Sequence, residues 1–110
     1  MKHVLFDLKH CLITATLNDE EYIKETLIEA AKIGQLEVIK VDTHKFEPQG
    51  VTALALLADS HISIHTWPEK GLAMCDIFTC GVDATPQMAV EYLSKQFQSL
   101  DTTYTQHERV

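Results

Sequence analysis

VTALALLADSHISIHTWPEKGLAMCDIFT, residues 51–79, holds three strand-length segments separated by two short breaks. Residues 51–58 are a continuous apolar run, long enough for a buried strand and short for a buried helix. Residues 61–67 (HISIHTW) alternate cleanly, Pro68-Glu69-Lys70-Gly71 reads as a turn, and 72–79 (LAMCDIFT) as a further strand. Consecutive strands joined by tight turns pair antiparallel, because a parallel crossover needs a much longer connection. Upstream, 36–42 (LEVIKVD) and 3–8 (HVLFDL) also read as strands, with Glu47-Pro48-Gln49-Gly50 as a turn. Asn18 with Glu21 offers a capping box for a helix carrying Ile23, Leu27, Ala30 and Ala31 on one stripe and ending at Gly34. Downstream, Thr85 before Pro86 reads as N-cap and first residue of a second helix, with Ala89, Leu93, Phe97 and Leu100 on its stripe. Residues 102–107 (TTYTQH) close the pattern as an edge strand. The order β-α-β-β-β-β-α-β predicts an α+β two-layer sandwich, an antiparallel sheet with two helices on one face. Its other face must meet water, a ligand or a partner.

Composition fits one domain over residues 1–110: 45% of residues are apolar and 23% charged, without linker, repeat or low-complexity tract. Nine basic against 16 acidic residues give a net charge of −7, which argues against nucleic acid or an anionic membrane as partner. No apolar run is long enough to span a bilayer, and Asp7 interrupts the N-terminal stretch where a secretion signal needs its apolar segment. Three cysteines (Cys11, Cys75, Cys80) in no CxxC spacing describe neither a disulfide framework nor a zinc knuckle. A reduced, cytoplasmic protein without metal is expected.

The chemistry concentrates around residues 60–67. Period-two alternation sends Ile62, Ile64 and Thr66 to one side and His61, Ser63, His65 and Trp67 to the other. A solvated polar sheet face accounts for this as well as a functional one does. A shared metal does not, since positions four apart on a strand are about 13 Å apart. Cys80, before Gly81, sits where a hairpin would bring a thiol toward the histidine-bearing strand and let thiol and imidazole exchange protons; burial as a small apolar residue is its other reading. Ser60 by itself reads as a turn residue.

Ala58-Asp59-Ser60-His61-Ile62-Ser63-Ile64-His65-Thr66-Trp67-Pro68-Glu69, followed by Asp76-Ile77-Phe78-Thr79-Cys80-Gly81, resembles the prokaryotic S-adenosylmethionine decarboxylase proenzymes. The likeness extends through Thr43-His44-Lys45-Phe46, Pro48-Gln49-Gly50-Val51 and Gln106-His107-Glu108-Arg109. It implies autocatalytic cleavage of the Asp59–Ser60 bond into a β chain (1–59) and an α chain (60–110). Ser60 would become a pyruvoyl group that forms a Schiff base with the substrate amine and draws electrons as the carboxylate leaves.

By the same resemblance His65 serves processing, supported by Thr52, which stands where the family has serine. Cys80, expected at a strand tip facing His65, is the proton donor. Phe46 and Trp67 wall the adenine, Glu69 accepts the ribose hydroxyls, and Asp59, in place of the family's glutamate, lies by the amino-acid end. The implied activity is decarboxylation of S-adenosylmethionine for spermidine synthesis by a homodimer of cleaved units with sites at the subunit interface. A pyruvoyl-dependent arginine or ornithine decarboxylase on the same scaffold, or an unprocessed non-catalytic paralogue, are the alternatives.

Overall fold

The structure is a computed structural model describing all residues 1–110. Six strands, β1 (Lys2–Cys11), β2 (Val38–Lys45), β3 (Val51–Leu57), β4 (His61–Trp67), β5 (Leu72–Thr79) and β6 (Ser99–Glu108), form one sheet. Their spatial order is β2-β3-β4-β5-β1-β6, and every neighbouring pair is antiparallel. Helices α1 (Glu20–Ile33) and α2 (Pro86–Gln96) cover one face. This is the expected two-layer α+β sandwich.

Alternation explains the layering. In β1, Val4, Phe6 and Leu8 are buried; in β4 and β5, Ile62, Ile64, Ala73 and Ile77 are. These side chains meet Ile23, Leu27, Ala30 and Ala31 of α1 and Ala89, Val90 and Leu93 of α2 in one core. The helices approach closely where α1 ends: a Cβ added to Gly34 would stand 3.2 Å from the Ala89 Cβ, a tight fit. The Tyr22 hydroxyl locks the pair by donating to the Gln96 carbonyl at 3.0 Å. Neither helix is long and apolar enough to cross a membrane.

Several local expectations need correction. The cap of α1 is Asp19, whose carboxylate accepts from the Tyr22 N–H at 3.0 Å. A 3-10 turn over Thr14–Asn18 displaces Asn18 from that role. Asn18 instead accepts the Gly50 N–H at 2.9 Å. Thr85 and Pro86 do stand at the N-cap and first position of α2, as expected; only the capping bond is missing, the Thr85 hydroxyl being buried without a partner. Leu100 lies in β6 and is exposed, because the α2 stripe ends at the fully buried Phe97. β2 runs to Lys45 rather than stopping at Asp42, since its ladder with β3 continues to the Lys45–Val51 pair. β6 likewise starts at Ser99, where it pairs with Cys11.

Candidate active site

The open sheet face carries the polar side chains that the alternation of β4 assigned to it. Antiparallel register arranges them in rows. His44, Thr52, His65, Met74 and Asp7 form one row across β2, β3, β4, β5 and β1; Asp42, Leu54, Ser63, Asp76 and Leu5 form the next; Leu56, His61, Phe78 and His3 form a third across β3, β4, β5 and β1. Leu5, Leu54, Leu56 and Met74 leave close to half their surface exposed here.

At one end of β4, Phe46, Thr52, His65, Trp67 and Glu69 line a cavity of about 330 Å³. The β2–β3 turn positions Phe46. Gly50, at φ +107°, adopts a conformation open to glycine, accepts the Phe46 N–H at 2.8 Å and gives its own N–H to Asn18. The His44 ring meets the Phe46 ring edge-on, with centroids 4.6 Å apart. Thr52 Oγ1 lies 3.1 Å from Nδ1 of the exposed His65 ring, a bond across the β3–β4 pair that fixes the imidazole. Behind them the buried Thr66 hydroxyl donates to the Leu17 carbonyl at 2.6 Å and accepts the Val51 N–H at 2.8 Å. Glu69, on the short turn after Trp67, is exposed and makes no hydrogen bond or ion pair within the chain.

At the other end, Ser60 is half-buried in the turn joining β3 to β4, its carbonyl accepting the Leu57 N–H at 3.0 Å. Leu57, Asp59, Ser60 and Gly81 line a smaller cleft of about 160 Å³. Cys80 is the exposed cysteine; Cys11 and Cys75 are buried, and burial pushes both thiols up, Cys75 well up with Asp7 and Asp76 adding to the effect. The exposed thiol therefore lies at the Ser60 end of the sheet, just past β5 and next to Gly81 of this cleft.

The chain does not bring its two groups together. Ser60 and His65 are five residues apart, about 16 Å along a strand. The pairing of Cys80 with His65 is corrected too. His65 faces Met74, while His61 faces Phe78, so Cys80 lies at the Ser60 end of the sheet. An extended strand has no way to fold this separation back on itself.

Between the two ends lies a cluster that sequence reasoning missed. Asp76 Oδ2 accepts from His3 Nε2 at 2.7 Å and His61 Nε2 at 2.8 Å, and Asp76 Oδ1 accepts from the Ser63 hydroxyl. Burial raises the Asp76 carboxyl, but the bonds from Ser63, His3 and His61 and the nearby His61 charge outweigh it and hold it below the usual carboxylate range. Three potential ligand atoms of His3, His61 and Asp76 lie within 4.8 Å of one another. Arg109 Nη1 stands 3.5 Å from His3 Nδ1, which makes Nδ1 the acceptor and leaves the proton on Nε2. The cluster is thus a set of donors converging on a carboxylate, not a set of free lone pairs. The signal in the sequence was an acidic residue at an outward position of the apolar strand LAMCDIFT.

A stability contribution follows from the lowered Asp76 value. Its sign is that of a depressed acid: present above the unfolded carboxylate range and lost as pH falls through the folded value. Comparing acid unfolding midpoints by circular dichroism, Asp76→Asn is expected to flatten the stability loss below about pH 4. An unchanged acid limb would mean that Asp76 ionises alike in the folded and unfolded chain.

The family model for S-adenosylmethionine decarboxylase matches residues 2–110. The S-adenosylmethionine decarboxylase proenzyme of Prochlorococcus marinus (strain MIT 9313) is 50% identical over 95 residues, covering 86% of this chain and 75% of that protein. That of Moorella thermoacetica is 40% identical over 108 residues, covering 98% and 86%. The crystal structure of the adenosylmethionine decarboxylase from Aquifex aeolicus VF5 superposes with a TM-score of 0.88 at 38% identity, covering 98% of this chain and 88% of that one. A family model that takes in all but the first residue, with relatives aligned over most of both chains, leaves one assignment: the chain belongs to the S-adenosylmethionine decarboxylase family of enzymes.

Proposed function

We propose that the chain is a proenzyme that cuts itself between Asp59 and Ser60 and, as a homodimer, decarboxylates S-adenosylmethionine to the aminopropyl donor for spermidine synthesis. The observation that carries this reading is the division of the site between the two ends of β4. A two-fold axis lying between two open sheet faces and running across the strands lays the Ser60 end of one protomer on the His65 end of its partner. Each half-site is then completed, twice per dimer. The half-exposed Leu5, Leu54, Leu56 and Met74 supply an apolar reason for two such faces to close. The acidic, reduced chain fits a cytoplasmic enzyme.

In processing, the Ser60 hydroxyl attacks the Asp59 carbonyl, and an ester replaces the peptide bond. His65 of the facing protomer, held by Thr52, takes the Ser60 α-proton as the ester carboxylate leaves with residues 1–59. Hydration of residue 60 and loss of ammonia leave a pyruvoyl group at the start of residues 60–110. The residues present suit that group: a half-buried serine in a turn, with an exposed thiol at the same end of the sheet. When formed, it supplies a ketone as electron sink for decarboxylation. The chain's own residues do the rest. Phe46 and Trp67 offer aromatic faces to the adenine and the sulfonium charge. Glu69, unpartnered within the chain, accepts the ribose hydroxyls, Asp59 lies by the amino-acid end, and the Cys80 thiol returns a proton to the substrate.

Two measurements test the reading. The mass of the purified chain is expected to show fragments 1–59 and 60–110. Carbon dioxide release is expected from carboxyl-labelled S-adenosylmethionine and not from labelled arginine or ornithine. An intact 110-residue chain after long incubation would refute processing. Release from arginine or ornithine instead would reassign the substrate.

Glu69→Gln is expected to raise KM about tenfold or more with little change in kcat. Losing charge-assisted bonds to two hydroxyls costs about 1–3 kcal/mol, and the ribose is unchanged between ground and transition states. Steady-state kinetics with an unaltered KM would return Glu69 to the role of a solvated turn residue.

A further inference from the structure

We infer that Asp76 is a positioning residue that clamps the end of β4 created by cleavage, through His61 and Ser63 on that strand and His3 on β1. The inference rests on the proposed cut between Asp59 and Ser60. In the intact chain β4 is tethered to β3 through Ala58, Asp59 and Ser60, and the turn is closed by the Leu57 N–H on the Ser60 carbonyl. Cutting before Ser60 removes the covalent tether and leaves one residue ahead of His61. A free strand end frays first at its outermost ladder bonds, and this end would carry the reactive group.

The side chains at that end counter fraying. Positions 61 and 63 of β4 both donate to one carboxylate on β5, which also accepts from His3 of β1. One acid thus ties three adjacent strands together. The two histidine bonds run diagonally and the Ser63 bond straight across, because Asp76 stands opposite Ser63 and opposite Leu5, not opposite His61 or His3. Diagonal ties resist sliding of β4 along β5, which the ladder bonds near a frayed end resist poorly. Only a carboxylate accepts on both oxygens from three donors; an amide in its place presents an N–H₂ to one of them. Phe78 packs against both imidazoles, with centroids 5.6 Å from His3 and 6.2 Å from His61, and keeps their rotamers in place. The Asp76 side chain is 19% exposed, so water competes weakly for it.

The role separates the cut chain from the uncut one, and so does its test. Hydrogen–deuterium exchange would be followed at residues 61–66 in four proteins: cleaved wild type, cleaved Asp76→Ala, and the uncleavable Ser60→Ala with and without Asp76→Ala. Loss of the clamp is expected to speed exchange at the start of β4 about tenfold or more in the cleaved pair, and by no more than about twofold in the uncut pair. In the cleaved enzyme kcat is expected to fall about tenfold or more while KM stays within about twofold, because small displacements of a reacting group are costly and Phe46, Trp67 and Glu69 do not touch the cluster. Asp76→Asn, of the same shape, is expected to fall between wild type and alanine, and serves if the alanine variant folds poorly. Equal acceleration in cut and uncut pairs would make Asp76 a merely structural residue and overturn the clamp. So would unchanged exchange and kcat in the cleaved variant. A wild-type chain of intact mass would overturn the clamp together with the reading it rests on, whereas a cleaved, active Asp76→Ala enzyme with a firmly held β4 would overturn the clamp alone.

Discussion

Ser60→Ala is expected to yield a single uncut chain with no measurable decarboxylase activity and a circular dichroism spectrum like that of the unprocessed wild type. The methyl group removes the oxygen that attacks the Asp59 carbonyl, and no neighbouring hydroxyl stands in its place, since positions 59 and 61 are Asp and His. The fold is expected to survive. Ser60 is half-buried in a turn, and the bond that closes the turn uses its backbone carbonyl, which alanine keeps. The stability change should stay below about 1 kcal/mol, as for most substitutions away from the core. Denaturing mass spectrometry after prolonged incubation decides the matter. Two fragments from the alanine variant would move the processing site elsewhere in the chain.

Cys80→Ala is expected to cut normally or slowly and then turn over at least about a hundredfold more slowly than wild type, the lower end of what a general acid typically contributes. Cleavage needs the Ser60 hydroxyl and the facing His65; it does not need a thiol. Turnover needs a proton delivered to the substrate carbon that lost its carboxylate. Without Cys80 that proton goes astray, and a proton placed on residue 60 instead leaves the amine there as an N-terminal alanine. The mass of fragment 60–110 after exposure to substrate reads this directly, with the alanine form accumulating faster in the variant. Neither remaining cysteine can substitute: both are buried, with thiols pushed up. A near-normal rate with an unmodified fragment would reduce Cys80 to a small residue at a strand end.

Ser60 and Cys80 were each legible as lying at a strand end, because strand ends are marked by local chemistry, a turn before one strand and Cys80-Gly81 after the next. Their distance from His65 was not. Reading 61–67 as a strand already implied that position 65 lies far from position 60, yet the motif lists them side by side. Proximity in sequence is a poor guide once a chain is extended at about 3.3 Å per residue. The register turned this general point into a specific one, with His65 opposite Met74 rather than near Cys80.

Features that depend on short-range periodicity are written in the order of the residues. The alternation of HISIHTW sorted its side chains onto two faces, and the burial of Ile62, Ile64 and Thr66 follows that sorting. The short turns made the meander antiparallel, and the apolar stripe of α1 chose the face it covers. Tertiary structure alone decided what depends on which distant residues are brought alongside. Asn18 lost the cap of α1 to Asp19 because a 3-10 turn takes in Thr14–Asn18, and its side chain accepts instead from the N–H of Gly50, 32 residues on. β1 lies between β5 and β6, so His3 reaches Asp76 across 73 residues of chain. Local propensity acts through bonds within a turn or two of the chain, whereas strand order is chosen by the burial of whole faces, a sum over the molecule that no single stretch carries.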